Sequence, residues 1–239
     1  MTKHFNLADL FEMVSDGVPQ REAVVCGENR ATYAQLESRA NQLANYFISQ
    51  GVKKGQHVGL YLYNCNEYIE AMLACFKIRA VPINVNYRYV DSELAYIFDN
   101  ADLVACVAHR EFLPHIKAIH TDFPKLKALI HVNDESSIDV TDIDSVSYEE
   151  ALRACSNVRG FPERADDDLF ILYTGGTTGM PKGVMWPQKS LFYAALGGGG
   201  WFHPDGPIES PTEISNRVTE TAIVGMALAP LMHGACWWY

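Results

Sequence analysis

The stretch TGGTTGMPKGV, residues 174–184, crowds four glycines, three threonines and one lysine into eleven positions. Glycines carry no Cβ, so a turn built from them exposes consecutive backbone N–H groups to an anion. Gly175, Gly176 and Gly179 let the main chain approach phosphate oxygens closely. Thr174, Thr177 and Thr178 add hydroxyl donors, Lys182 adds a compact positive charge, and Pro181 stiffens the turn ahead of it. Polyphosphate binding is the chemistry this combination suits. The bland alternative is a glycine-rich turn that only joins two elements.

Two common phosphate patterns are excluded. The nucleotide P-loop needs Gly-Lys-Ser/Thr, whereas Lys182 lies between Pro181 and Gly183. The dinucleotide pattern GxGxxG fails because Gly175 and Gly176 are adjacent. Other chemistries have less support. The six cysteines form no CxxC pair, and Cys75 and Cys106 sit inside the apolar runs MLACFKI and LVACVA. They read as reduced core cysteines rather than a disulfide frame or a zinc site. The eight histidines include no HExxH or HxxxH pair, so a transition-metal site is not indicated.

The net charge of −10, with no Lys/Arg cluster, argues against nucleic acid as a partner. The acidic run ADDD at 165–168 admits a paired-carboxylate site, but a solvated loop ahead of a buried strand is the favoured reading. MTKHFNLADLFEMV has no leader-like apolar core, and no apolar run reaches the ~18–20 residues a membrane span requires. The longest candidate, 222–239, is broken by Pro230, His233 and Gly234. The expectation is a soluble, cytoplasmic protein.

The elements that must position the loop follow from residue 31 onward. ATYAQLESRANQLANYFISQG places Tyr33, Leu36, Ala40, Leu43, Ala44 and Phe47 on one helical face, with Thr32 and Gln35 at capping-box spacing and Gly51 as a stop. Strands are expected at 57–62, 81–85, 102–108, 126–132 and 168–174, and helices at 66–80, near 91–98, between 108 and 126, in SYEEALRAC and from Ser190. The loop then follows the 168–174 strand, with a short apolar piece at 184–186. Strand–helix alternation with nearly continuous apolar strands predicts an α/β fold, a doubly wound, mostly parallel sheet with helices on both faces. The run GGGGWFHPDGPIESP, 197–211, is expected to be irregular, either a flap beside a ligand or a surface loop.

YTGGTTGMPKGV resembles the phosphate-binding signature of the adenylate-forming enzymes, which include acyl-CoA synthetases, luciferase-like enzymes and peptide-synthetase adenylation domains. Thr174, Gly176, Thr177, Thr178, Gly179, Pro181, Lys182 and Gly183 match it; Gly175 departs, where the family usually carries a hydroxyl. The early helix, the block NCNEYIEAMLACFKIRAVPINVNYRYVDSELAYIFDNAD and APLMHGA at 229–235 resemble the family in order and spacing, and the wording is most like fatty-acyl-CoA synthetases.

That resemblance implies a two-step ligase. ATP and a carboxylic acid, here a fatty acid, give an acyl-adenylate, and CoA then displaces AMP. It implies that Thr174 is a Mg²⁺ or phosphate ligand and that Gly175, Gly176, Thr177, Thr178, Gly179 and Lys182 cradle the ATP phosphates. His233 would face the carboxylate or the acyl channel, and Trp237 and Trp238 are either pocket walls or core. It further implies the first part of a large N-terminal AMP-binding domain, with a first lobe at about 20–165 and a second beginning at 166. The aromatic ending Trp237-Trp238-Tyr239 suggests a longer protein cut there, and the adenine, ribose and catalytic-lysine regions are expected beyond it, so that the 239-residue piece alone is expected to be inactive. The alternatives are an amino-acid-adenylating domain and a non-catalytic phosphate-binding module.

Overall fold

The computed structural model describes residues 3–119, 123–176, 179–201, 203–218 and 224–234. Its centre is a seven-stranded sheet in the order β7-β6-β5-β3-β4-β8-β9. The strands are β3 (His57–Tyr61), β4 (Val81–Asn84), β5 (Leu103–His109), β6 (Ala128–Val132), β7 (Val146–Ser147), β8 (Leu169–Gly176) and β9 (Gly179–Pro187). Every pairing is parallel except β8 with β9. The expected doubly wound sheet is present.

Burial on both faces explains the continuous apolar strands. All seven residues of β5 and all five of β6 are buried. One core holds Val58, Leu60, Val107 and Phe170 against α2 (Tyr33–Ser49), α3 (Asn66–Lys77), α6 (Tyr148–Arg153) and α7 (Gln188–Ala195). The other holds Ile83, Cys106 and Tyr173 against α4 (Asp91–Asn100) and α5 (Leu113–Ile119). Cys75 and Cys106 are wholly buried in these cores, as their apolar surroundings predict.

Helix α2 starts where its capping box places it. The Thr32 hydroxyl accepts from the Gln35 N–H at 3.2 Å, and the Gln35 side chain accepts from the Thr32 N–H at 2.8 Å. Leu36, Ala40, Leu43, Ala44 and Phe47 of its predicted face are buried, while Tyr33 is half-buried.

Five features differ from the sequence reading. Elements precede residue 31, where the sequence reading began: α1 (Leu7–Gly17) packs on α2 and α3, and β1 (Glu22–Cys26) pairs with β2 (Asn29–Thr32) in a separate hairpin. The two-residue strand β7 was also not expected. The acidic run is an anchor rather than a solvated loop. Asp168 is buried and accepts from Arg79 Nε at 2.8 and 3.0 Å, and Asp166 accepts from the Phe5 N–H and from Lys189. Asp167 is exposed and Asp166 half-buried. A charge run reads as surface until a distant arginine reaches it, and Arg79 lies 89 positions away.

The glycine-rich run at 197–211 is a packed turn. A Cβ on Gly200 would lie 2.2 Å from the Gly206 carbonyl carbon, so two stretches of backbone touch there. Ile208 is buried with Phe5, Leu10, Met13 and Phe192, and the Tyr193 hydroxyl donates to the Ile208 carbonyl at 2.7 Å. The fifth difference concerns the phosphate-loop candidate itself.

Candidate functional site

The glycine–threonine stretch is mostly strand. β8 runs through to Gly176, β9 starts at Gly179, and the two pair antiparallel with Thr174 opposite Lys182 and Gly176 opposite Gly179. The expectation of a loop after a strand ending at 174 is thus corrected to a hairpin, with 184–186 forming part of a nine-residue strand. The antiparallel pairing takes up part of the backbone hydrogen bonding of this stretch, with a register shift between Thr174 and Gly176 that skips Gly175. Thr177 and Thr178, at the tip, lie outside the described residues.

Glycine has different reasons at different positions of this hairpin. A Cβ on Gly183 would lie 2.9 Å from Ile171 Cγ2 and 3.1 Å from the Tyr173 ring, so packing requires glycine there. A Cβ on Gly175 or Gly179 would meet nothing within 4 Å, and neither backbone takes a positive φ. Neither packing nor conformation explains those two glycines. Open space above bare backbone is what close approach by a phosphate requires.

Thr174 and Lys182 are exposed on the paired strands. Among the described residues Lys182 forms no ion pair. The hairpin is held from below by helix α4. The Tyr96 hydroxyl donates to the Pro181 carbonyl at 3.0 Å, and the Tyr173 hydroxyl donates to Asn100 Oδ1 at 2.7 Å. Burial raises the Tyr173 hydroxyl above its ordinary range, which keeps it a neutral donor.

Gly176, the end of β8, lies at the carboxyl ends of the parallel strands, where open α/β sheets place their ligands. The segment bearing His233 is brought to the same edge. Asn64, just beyond β3, accepts from the Leu231 N–H at 2.6 Å and donates to the Ala229 carbonyl at 3.1 Å. Asn84, the last residue of β4, donates to the Met232 carbonyl at 2.7 Å. Leu231 and Met232 are buried, while the His233 side chain is exposed and its N–H donates to the Pro230 carbonyl. Trp237 and Trp238 lie outside the described residues.

The two asparagines were missed in the sequence. A usable signal existed for one of them: Asn84 is the only polar residue in the buried strand run VPINV. His109 also reaches this edge, at the end of β5. Its Nδ1 accepts from the Tyr63 N–H at 3.1 Å, and burial lowers its pKa, so it is neutral. An apolar cavity of about 290 Å³ lies elsewhere, among α1, α3, α7 and β8, and none of its lining residues belongs to the hairpin tip or to 229–234. No helix among the described residues is long and apolar enough to cross a membrane, and they hold no group of three or more His, Cys, Asp or Glu arranged for a metal.

The fold is a mostly parallel α/β sheet carrying this hairpin at one end, and the comparisons give the family. The AMP-binding enzyme family profile matches residues 11–239, and the chain belongs to that family. It is 43% identical over 234 residues to the 3-oxocholest-4-en-26-oate--CoA ligase of Rhodococcus rhodochrous, covering 98% of this chain and 42% of that protein. It is 41% identical over 240 residues to the medium/long-chain-fatty-acid--CoA/3-oxocholest-4-en-26-oate--CoA ligase of Mycobacterium marinum, covering 98% and 44%. The chain therefore spans less than half the length of these relatives.

Among solved structures, the inhibitor-bound N-terminal domain of FACL13 from Mycobacterium tuberculosis superposes with a TM-score of 0.70 at 28% identity, over 80% of this chain and 46% of that one. The anthranilate CoA ligase AuaEII in complex with anthranoyl-AMP shares the fold, with a TM-score of 0.75 at 23% identity over 82% and 37%.

Proposed function

We propose that this chain is the N-terminal part of an ATP-dependent acyl-CoA ligase that activates a carboxylic acid, of the fatty-acid type, as an acyl-adenylate and transfers it to CoA. The observation that carries this reading is the pair Gly175 and Gly179, whose missing side chains meet open space, beside an exposed Lys182 that has no ion pair among the described residues. Relatives named as fatty-acid and steroid-acid CoA ligases support the substrate class.

The chemistry explains the residue types. Attack of a carboxylate on the α-phosphate brings negative charge against negative charge, so fixed donors and a cation must offset it. Backbone N–H groups at 175–179 bind and orient the phosphates. Thr177, Thr178 and Lys182 hold the β- and γ-phosphates, and the antiparallel pairing keeps Lys182 opposite Thr174. The Thr174 hydroxyl would ligate Mg²⁺ or a phosphate oxygen, and Mg²⁺ when bound would supply further charge neutralisation. His233 orients the carboxylate from the neighbouring segment. The division into lobes at about 20–165 and from 166, and a cytoplasmic location, belong to the same proposal.

The test is release of AMP and pyrophosphate. A protein of the relatives' length carrying this chain, given ATP, Mg²⁺, CoA and medium- or long-chain fatty acids, should form acyl-CoA; the 239-residue chain alone should not. Failure with every acid tried overturns the reading. Trapping of amino-acid hydroxamates instead would favour the amino-acid-adenylating alternative, because the phosphate hairpin is shared while acid choice is set elsewhere.

A further inference from the structure

Asn84 makes three hydrogen bonds with one planar amide. Its Oδ1 accepts from the Tyr173 N–H at 2.7 Å, and its Nδ2 donates to the Tyr173 carbonyl at 3.1 Å and to the Met232 carbonyl at 2.7 Å. Tyr173 immediately precedes Thr174, and Met232 immediately precedes His233. A single buried side chain thus fixes the backbone at the roots of both candidate site elements.

The position in the sheet explains why a side chain does this. β4 and β8 pair in register only at Ile83 with Ile171, so the ladder between them ends one residue short of Asn84. Beyond that point the strands diverge, and the Asn84 amide satisfies the Tyr173 backbone groups that a further ladder step would have used. Its remaining N–H then reaches the 229–232 segment. Asn64 grips the same segment at Ala229 and Leu231, again only through main-chain atoms. The segment is therefore placed by two asparagines from the ends of neighbouring strands, and only Asn84 also holds the hairpin.

We infer that Asn84 is a positioning residue that locks the register between the phosphate hairpin and the His233 segment, so that the phosphate and carboxylate ends of the reacting pair meet. The inference rests on the acyl-ligase reading for its kinetic consequence, but its structural half stands by itself. Bound reactants must be aligned closely, and a displacement of about 1 Å is enough to cost about a hundredfold in rate. A register lock therefore acts on turnover more than on the affinity for either ligand.

Asn84→Asp separates the bonds. It keeps the acceptor for the Tyr173 N–H and replaces the donor with a carboxylate facing two carbonyl oxygens. Amide hydrogen exchange on this chain should then quicken in 229–234 while Tyr173 stays protected. Asn64→Ala, a change at an exposed residue, should quicken exchange in 229–231 and leave Tyr173 unaffected. In the longer protein, Asn84→Asp should lower kcat for adenylate formation about tenfold to a hundredfold while KM for ATP moves less than about threefold. Unchanged exchange in 229–234 for Asn84→Asp, or for Asn64→Ala in 229–231, overturns the lock. So does a kcat within threefold of wild type, or an equal loss in kcat and ATP affinity. If the unsubstituted longer protein forms no adenylate, the acyl-ligase reading fails, and the exchange measurements alone decide the lock.

Discussion

Two lysines in this chain show opposite uses of the same side chain. Lys77, on α3, is completely buried. Its Nζ lies 2.8 Å from Glu12 Oε1 and 2.8 Å from Glu37 Oε2, and Arg164 and Arg159 reach the same carboxylates. Together with Asp9 and Lys3, these groups tie α1, α2, α3 and the 159–164 segment into one ion cluster. Lys182, on β9, is exposed and has no ionic partner among the described residues. Charge inside the cluster is spent on holding the fold. Charge on the hairpin is the one we propose for the ATP phosphates.

The largest effect tests the cluster. Lys77→Ala leaves Glu12 and Glu37 without their shared cation in a buried site, and the expected loss is about 3–5 kcal/mol, read from denaturant midpoints at neutral pH. Retention of full stability would show that water reaches the cluster. Acid should attack the same place. Burial would push Glu12 up, but Arg164 and Lys77 outweigh it and hold its pKa at about 2. A depressed carboxylate contributes stability above its unfolded pKa and loses it as pH falls through the folded value. The contribution, about 3 kcal/mol, should therefore be present above pH ~4.5 and vanish toward pH 2. Glu12→Gln should flatten that part of the profile in a thermal-melt series.

Lys182→Ala should show the reverse pattern. Removing a preorganised charge contact is expected to cost about a hundredfold in adenylate formation by the longer protein. Stability of the chain should change by no more than about 0.5 kcal/mol, as for a surface position. A large stability loss would erase the contrast with Lys77. Within the hairpin, Gly183→Val should cost about 1–3 kcal/mol through overpacking against Ile171 and Tyr173. The smallest effect belongs to Gly175→Ser, where a side chain meets open space. Stability should hold within about 0.5 kcal/mol, and the restored hydroxyl should tighten ATP binding slightly, measured by calorimetry.

Much of this was legible in the chain. Local patterns located α2 and its cap, the strands from β3 to β6 and β8, and the parallel sheet, because periodicity and capping are properties of neighbouring residues. The candidate phosphate stretch was likewise visible as a local pattern, its possible donors clustered within nine positions. What stayed hidden involves residues far apart in sequence. Asp168 looked solvated until Arg79 reached it, and α1 gave no reason to be ordered until Lys77 and Arg164 supplied partners for Asp9 and Glu12. The hairpin was mistaken for a loop because glycine and proline disfavour strands locally, and only pairing with β8 overrides that preference.

The sequence by itself determined which groups are available: a glycine–threonine–lysine stretch able to meet a polyphosphate, and apolar strands that must be covered on both faces. Tertiary structure alone decided which charges are consumed and which are free. It also placed His233 at the same sheet edge as the hairpin, since that depends on Asn64 and Asn84 bonding to backbone more than 145 positions away. Side-chain-to-backbone bonds read no residue identity in their acceptor, so no local pattern in 229–232 announces them.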